Sequence, residues 1–289
     1  MRFGTLDIDD RATVVVISDD GQQYREASEL LPGFTGDMTD FILRQPAPPR
    51  DAGTGTWKPI NGHQLLAPIP TPRRNIFCIG KNYHDHVKEL SQTGLASAPA
   101  APLPSAPIVF TKAPSSVVGD GAAVQSFPEV TSQLDYEAEL AVVIGKPGRA
   151  IRKEDAFNHV WGYTIVNDIS ARDVQQRHGQ WFLGKSMDTF CPMGPWIVSA
   201  AGVDAGKLGV RCWINGELRQ DGNTRDLIFD IPTIIATLSS GMTLQPGDVI
   251  ATGTPAGVGF GFNPPKFLKP GDVMRISIDG IGTLTNRVS

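Results

Sequence analysis

Short apolar runs, most of them bounded by glycine, aspartate or asparagine, dominate the chain from residue 107 onward: PIVFTK, YEAELAVVIG, GYTIVND, GPWIVSA, GVRCWING, GDVIATG, GDVMRISIDG and GTLTNRV. Runs of this length, rich in Val and Ile and bounded by turn residues, predict strands. Pro246-Gly247-Asp248, Pro270-Gly271-Asp272 and Asp279-Gly280 supply turns between them. Helical spacing is confined mainly to 83–90, 153–160 and 230–239. RRNIFCIG predicts a buried strand ending at Gly80, and KNYHDHVKEL a helix with Tyr83, Val87 and Leu90 at helical spacing. Earlier, ATVVVISDDGQQYREASELLPGF reads as a strand, a D-D-G turn and then a short helix or second strand. QPAPPRDAGTGT, from Gln45 to Thr56, has linker composition. The expected fold is a β-rich α+β one, with a small N-terminal α/β domain over 1–70 and the main domain over 71–289. Residues 91–107, SQTGLASAPAAPLPSAP, have little to bury and predict an exposed, mobile loop.

Composition narrows the functional classes. With 40% hydrophobic and 19% charged residues the chain is ordinary globular protein, not a disordered one. Its 26 basic and 30 acidic residues leave a net charge of -4, which gives no electrostatic reason to bind nucleic acid or anionic membrane. MRFGTLDIDD places acids where a signal peptide needs a basic start, and the longest apolar runs, such as Leu140 to Ile144, fall far short of a membrane span. Cys78, Cys191 and Cys212 are scattered and odd in number, so a reduced, cytoplasmic setting is expected. They read as small core residues, with a reactive thiol at Cys191 as the alternative.

GQWFLGKS, residues 179–186, matches the phosphate-binding pattern G-x-x-x-x-G-K-[ST] letter by letter. Its flanks reject that reading. ARDVQQRH upstream is a polar surface helix or loop rather than a buried strand, and Pro192 and Pro195 stand where a helix would have to run. Trp181, Phe182 and Leu183 suit a strand entering a core. Lys185 therefore needs another role.

Acidic residues interrupt the apolar pattern in SQLDYEAELAVVIG, where Asp135, Glu137 and Glu139 fall at every second position and so on one face of a strand. A solvated acidic face is one reading. The continuation AVVIG, typical of a strand buried on both sides, supports another. Asp168 ends the apolar strand GYTIVND, and with Glu137 and Glu139 it would complete an all-oxygen site for a hard ion, Mg²⁺, Mn²⁺ or Ca²⁺. Arg172 and Lys185 follow closely. They are either salt-bridging groups or holders of an anionic substrate. In KNYHDHVKEL, His86 and Glu89 share a helical face, an arrangement that is usually a surface ion pair but also suits a general base oriented by a carboxylate. His84 lies off that face.

Taken together, GKNYHDHVKEL, DYEAELAVVIG, GYTIVNDISARDVQ, GKSMDTFCPMGPWIV and GDVIATGTPAGVG resemble the fumarylacetoacetate hydrolase family, in unbroken order from about residue 70 to the C-terminus. The resemblance implies a mixed β-roll catalytic domain, usually dimeric, that binds Mg²⁺ or Mn²⁺. It implies Glu137, Glu139 and Asp168 as metal ligands, His86 and Glu89 as a catalytic pair on a lid helix, and Lys185 and Arg172 as substrate-binding groups. It also implies a T-G-T-P loop at Thr252, Gly253, Thr254 and Pro255, and leaves Asp135 a supporting role. The chain resembles the shorter branch, which includes acylpyruvate hydrolases, oxaloacetate decarboxylases and tautomerases, and hydroxyheptadienedioate isomerases.

The expected activity is hydrolysis of a carbon-carbon bond in a 2,4-dioxo acid through a metal-stabilised enolate. His86 would deprotonate water, and Thr254 would stabilise the tetrahedral oxyanion. Decarboxylation, tautomerisation and isomerisation stand as alternatives on the same residues, and a non-catalytic scaffold for metal or 2-oxo acids as the alternative from another class. Ordering of the 91–107 loop over the site is expected to control water access.

Overall fold

The computed structural model describes residues 1–289 except 52, 54 and 93–102, together with the side chains of 90–92. The part of the expected loop that spans 93–102 therefore lies outside the described residues. The architecture is β-rich with few helices. One sheet of 12 strands forms its spine, in the order Lys58–Pro59, Gln23–Glu26, Arg11–Ile17, Arg2–Ile8, Cys191–Ser199, Val160–Asn167, Ala138–Ile144, Val249–Ala251, Ile76–Gly80 and Ile108–Lys112; two short strands attach beside this path. A second sheet of five strands runs Glu217–Asn223, Gly209–Ile214, Val273–Ile278, Gly282–Val288 and Ala123–Val124.

The central strand Ala138–Ile144 explains how this spine is held. Every residue in it is buried. Leu140, Val142 and Ile144 pack into one core with Tyr163, Ile250 and Ile276, while Ala141 and Val143 enter a second core with Phe3, Phe41 and Trp161. Alternation on a pleated strand thus supplies two cores from one segment, and each large aliphatic side chain so buried stabilises the fold by about 1.5–3 kcal/mol. The boundary expected near residue 70 falls inside this sheet. Arg2 and Phe3 pair with Val198 and Ile197, so the N-terminal strands extend the main sheet rather than stand apart from it.

Strand polarity carries the candidate residues to one edge. Ala138–Ile144 begins where its antiparallel partner Val160–Asn167 ends, since Ala138 pairs with Asn167. Val249–Ala251 runs antiparallel to the first of these and parallel to Ile76–Gly80, with Ala251 opposite both Ala141 and Cys78. Glu139, Asp168, the 252–254 loop and the Gly80-Lys81 turn therefore meet at the same edge. The helix His84–Gln92 follows directly from that turn.

Three local expectations change. The strand proposed through 135, 137 and 139 breaks at Tyr136 and Glu137, because Leu134–Asp135 pairs with Ser170–Ala171 in a separate two-stranded sheet. The 153–160 segment is a 3-10 helix, Lys153–His159. Residues 181–183 do not enter the core as a strand. Phe182–Lys185 is a helical turn with Phe182 and Leu183 exposed and Gly184 and Lys185 buried. Gly184 packs so closely on the helix Arg172–Arg177 that a Cβ there would lie 2.6 Å from the Gln175 nitrogen, and this contact directs Lys185 inward.

Candidate active site

The sheet edge brings Glu137, Glu139 and Asp168 together. One carboxylate oxygen from each lies within 4.8 Å of the others, and all three residues are buried. Each is set by a local device. At the strand break, the Glu137 backbone N–H donates to Asn167 Oδ1 at 3.0 Å and the Asp168 N–H donates to the Glu137 carbonyl at 2.9 Å. Glu139 stays within the strand, and its Oε2 accepts the Gly253 N–H at 2.7 Å.

Buried cations surround two of the three acids. Lys185 Nζ lies 2.8 Å from both Glu137 Oε2 and Asp168 Oδ2, and Arg172 Nη1 lies 2.6 Å from Glu137 Oε1. Lys112, which sequence reading overlooked, donates to Asp168 Oδ1 at 2.6 Å, to the Ile169 carbonyl at 3.1 Å and to the Lys185 carbonyl. Glu139 has no ion pair among the described residues. The electrostatic consequence separates the two glutamates. Burial raises the carboxyl pKa of Glu137, but Lys185 and Arg172 outweigh it and hold that carboxyl well below its ordinary value. Burial, followed by the charges of Asp168 and Glu137, pushes Glu139 well above the ordinary value, against the pull of the Gly253 N–H. Lys185 stays above the ordinary lysine value because Asp168 and Glu137 offset its burial.

Asp135 is excluded from the ligand set by saturation. Its Oδ1 accepts N–H groups from Tyr136 and Gly259, and its Oδ2 accepts from the Phe260 N–H and from Arg172 Nε, with Arg172 Nη2 2.8 Å away in an ion pair. It anchors Arg172 and the 257–262 loop. The remaining three carboxylates fit a hard divalent ion: the donors are all oxygen, and Glu139 offers a buried carboxylate with no ion pair among the described residues.

Above this cluster sits His86, buried, with Nδ1 3.2 Å from Glu89 Oε2. The other Glu89 oxygen accepts the Gly257 N–H at 2.8 Å, so one carboxylate ties the helix to the 252–262 loop and fixes the imidazole. A side chain at Gly261 would collide with Glu89, its Cβ falling 2.1 Å from Oε1. His84 is exposed, as its place off the His86 face implies.

The T-G-T-P residues divide in role. Thr252 Oγ1 donates to the Leu140 carbonyl and the Gly253 N–H is engaged by Glu139, so both brace the cluster rather than face a substrate. Thr254 lines the cavity. Its hydroxyl accepts from Gln220 Nε2 at 2.8 Å, which leaves its own hydrogen to donate. Gln220 carries no sequence signal beyond being polar, and the bracing Asn82, which donates to the Thr252 carbonyl, lies in the GKNYHDHVKEL motif without a role assigned to it there. All three cysteines are buried, and burial pushes Cys191 up to about 12, which removes the reactive-thiol alternative.

His86, Glu137, Glu139, Arg172, Lys185 and Thr254 face one cavity of about 230 Å³, walled by Phe110, Trp181 and Phe260. Glu89 and Asp168 stand behind its surface, holding His86 and Lys185 respectively.

Comparison with known proteins agrees with this geometry. The chain is 58% identical over 226 residues to the oxaloacetate tautomerase YisK of Bacillus subtilis, an alignment covering 78% of this chain and 73% of that protein. Its fold is similar to that of the fumarylacetoacetate hydrolase of Exiguobacterium antarcticum, with a TM-score of 0.86, 42% identity and coverage of 100% and 99% of the two chains. It is also similar to a maleylpyruvate hydrolase of Sphingobium sp. solved with manganese(II) and pyruvate, with a TM-score of 0.76, 30% identity and coverage of 100% and 98%. Residues 75–289 match the fumarylacetoacetate (FAA) hydrolase C-terminal family, and with the carboxylate cluster and the His86–Glu89 pair inside that span the chain belongs to it.

Proposed function

We propose that this protein is a metal-dependent tautomerase that interconverts the enol and keto forms of a small 2-oxo acid of the oxaloacetate type. The observation that carries the reading is the placement of a buried three-carboxylate cluster and a carboxylate-oriented histidine in one small cavity. The 58% identity to an oxaloacetate tautomerase favours this outcome over hydrolysis.

Glu137, Glu139 and Asp168 would hold Mg²⁺ or Mn²⁺, and such an ion supplies positive charge against an enolate oxygen. The chain's own residues do the rest. His86, fixed through Nδ1 by Glu89, uses its other ring nitrogen to take the enol proton and to return one to the adjacent carbon, so no heavy-atom bond breaks. The free hydrogen of the Thr254 hydroxyl donates to a substrate oxygen. Lys185 and Arg172 are committed to Glu137 and Asp168, and their contribution is to keep those carboxylates ionised and in place.

Hydrolysis of 2,4-dioxo acids is the second reading. The same His86–Glu89 pair is placed to deprotonate a water, and the maleylpyruvate hydrolase likeness favours it. A panel of oxaloacetate, acetylpyruvate, fumarylpyruvate and a 2,4-diketo-3-deoxy sugar acid, assayed with Mn²⁺ or Mg²⁺, separates the two. Accelerated enol–keto exchange of oxaloacetate with no cleavage of the diketo acids supports tautomerisation. Pyruvate release from a diketo acid reinstates hydrolysis, carbon dioxide release from oxaloacetate points to a decarboxylase, and no turnover of any of them supports a binding scaffold.

A further inference from the structure

Lysine and arginine side chains line the cavity at three positions, and two of them are already committed. Arg172 is paired with Asp135 and Glu137, and Lys185 with Glu137 and Asp168. The third, Lys81, lines the same cavity, and its ammonium makes no ion pair or hydrogen bond among the described residues. Residues 93–102 read TGLASAPAAP, so that stretch contains no carboxylate to pair with it either.

The backbone holding this lysine is clamped in an unusual shape. Lys81 has φ 55°, the left-handed region that a side chain with a Cβ disfavours. On one side Gly80 abuts Trp181 so closely that a Cβ would lie 2.4 Å from its ring. On the other, buried Asn82 donates to the Phe229 and Thr252 carbonyls at 3.0 and 2.8 Å and accepts the Phe229 N–H at 2.8 Å. The neighbours fix the backbone conformation of a cavity-lining residue whose ammonium, on a flexible stem, has no partner among the described residues.

Charge completes the argument. Beneath the cavity four buried acids, Asp135, Glu137, Glu139 and Asp168, face three buried cations, Lys112, Arg172 and Lys185. With a divalent ion bound and all four acids ionised, these groups would sum to one positive charge, enough to balance a single substrate carboxylate. A second carboxylate requires a further cation. We infer that Lys81 is the receptor for the distal carboxylate of the substrate, so that the site selects 2-oxo dicarboxylates over 2-oxo acids with a neutral far end. This rests on the 2-oxo acid reading above and adds its substrate class.

The test uses oxaloacetate and its near-isosteric 4-amide, 2-oxosuccinamate, with the Mn²⁺-loaded protein. Binding is followed by quenching of tryptophan fluorescence, to which Trp181 in the cavity wall contributes, and turnover is measured separately. A charge-assisted contact of this kind corresponds to on the order of 10- to 100-fold in affinity. Lys81→Gln is expected to weaken oxaloacetate by that factor while leaving 2-oxosuccinamate binding unchanged, which also shows that the variant is folded. Lys81→Arg is expected to retain the preference. Equal loss for both ligands, no loss for either, or a wild-type protein that binds the two alike overturns the inference. Retained charge discrimination without enol–keto exchange leaves Lys81 as the carboxylate receptor and removes the tautomerase reading instead.

Discussion

Glu137 and Glu139 stand two residues apart, are both buried and face the same cavity, yet their surroundings are opposite. The Glu137 side is crowded with cations: Arg172 and Lys185 each reach its carboxylate, and Asp135 steadies Arg172 from behind. The Glu139 side offers one backbone N–H, from Gly253. A site built only for stability would pair both acids or remove one, since an unmatched buried charge is costly. Leaving one unmatched beside two matched acids suits a fold that awaits a cation. The pairs on the Glu137 side hold the geometry, and the deficit on the Glu139 side provides the attraction.

Removing the well-paired acid tests the first half of that contrast. Glu137→Gln leaves Arg172 and Lys185 buried with a partner lost, and breaking such a pair costs about 3–5 kcal/mol. Urea unfolding of the metal-free variant should show this; a loss below about 1 kcal/mol, the scale of an exposed pair, contradicts it. His86→Ala should lower kcat by about 10²- to 10⁴-fold with metal binding intact. Glu89→Gln should fall between wild type and that variant, because Glu89 orients the ring through a 3.2 Å contact. A wild-type kcat in either variant removes the proton-transfer role.

Glu139→Gln sharpens the comparison with an effect of opposite sign. The neutral amide keeps an acceptor for the Gly253 N–H but removes the carboxyl that burial penalises when ionised, so the metal-free variant should be more stable than wild type at neutral pH. It should also lose the thermal stabilisation that Mn²⁺ gives wild type. A stability scan across pH checks the sign. The folded-state pKa of Glu139 is raised, so its contribution to metal-free stability is lost as pH climbs from the ordinary 4.5 through the raised value. The folded-state pKa of Glu137 is depressed, so its contribution is lost as pH falls below 4.5. In Glu139→Gln the high-pH decline should vanish while the acid-side loss remains. The smallest effect belongs to the surface: replacing Arg152, paired with Glu154 and Asp155 in the open, by Ala should leave the urea midpoint close to that of wild type.

Legibility of the site in the sequence followed the same contrast. Acids inside apolar runs conflict with their surroundings, and that conflict marks Glu137, Glu139 and Asp168 in the sequence itself. Lys112 gave no such signal. It closes IVFTK as an exposed lysine would, and only the pairing of Ile108–Lys112 with Ile76–Gly80 carries it beneath Asp168. Trp181, Phe182 and Leu183 misled for the converse reason: three apolar residues in a row suggest a buried strand, whereas here Gly184 sets a helical turn that leaves two of them in solvent. The apolar pattern gave the main strands correctly. It did not reveal that Arg2–Ile8 joins Cys191–Ser199, because pairing across so long a separation leaves no local mark.

The most direct measurement is the rate of enol–keto interconversion of oxaloacetate, with Mn²⁺ alone as the reference, for wild type and Glu139→Gln. Acceleration by wild type that needs the ion, and its loss in the variant to the level of Mn²⁺ alone, is the expected result. Equal acceleration by both proteins, or by wild type stripped of metal, would contradict a site organised around the unmatched charge of Glu139.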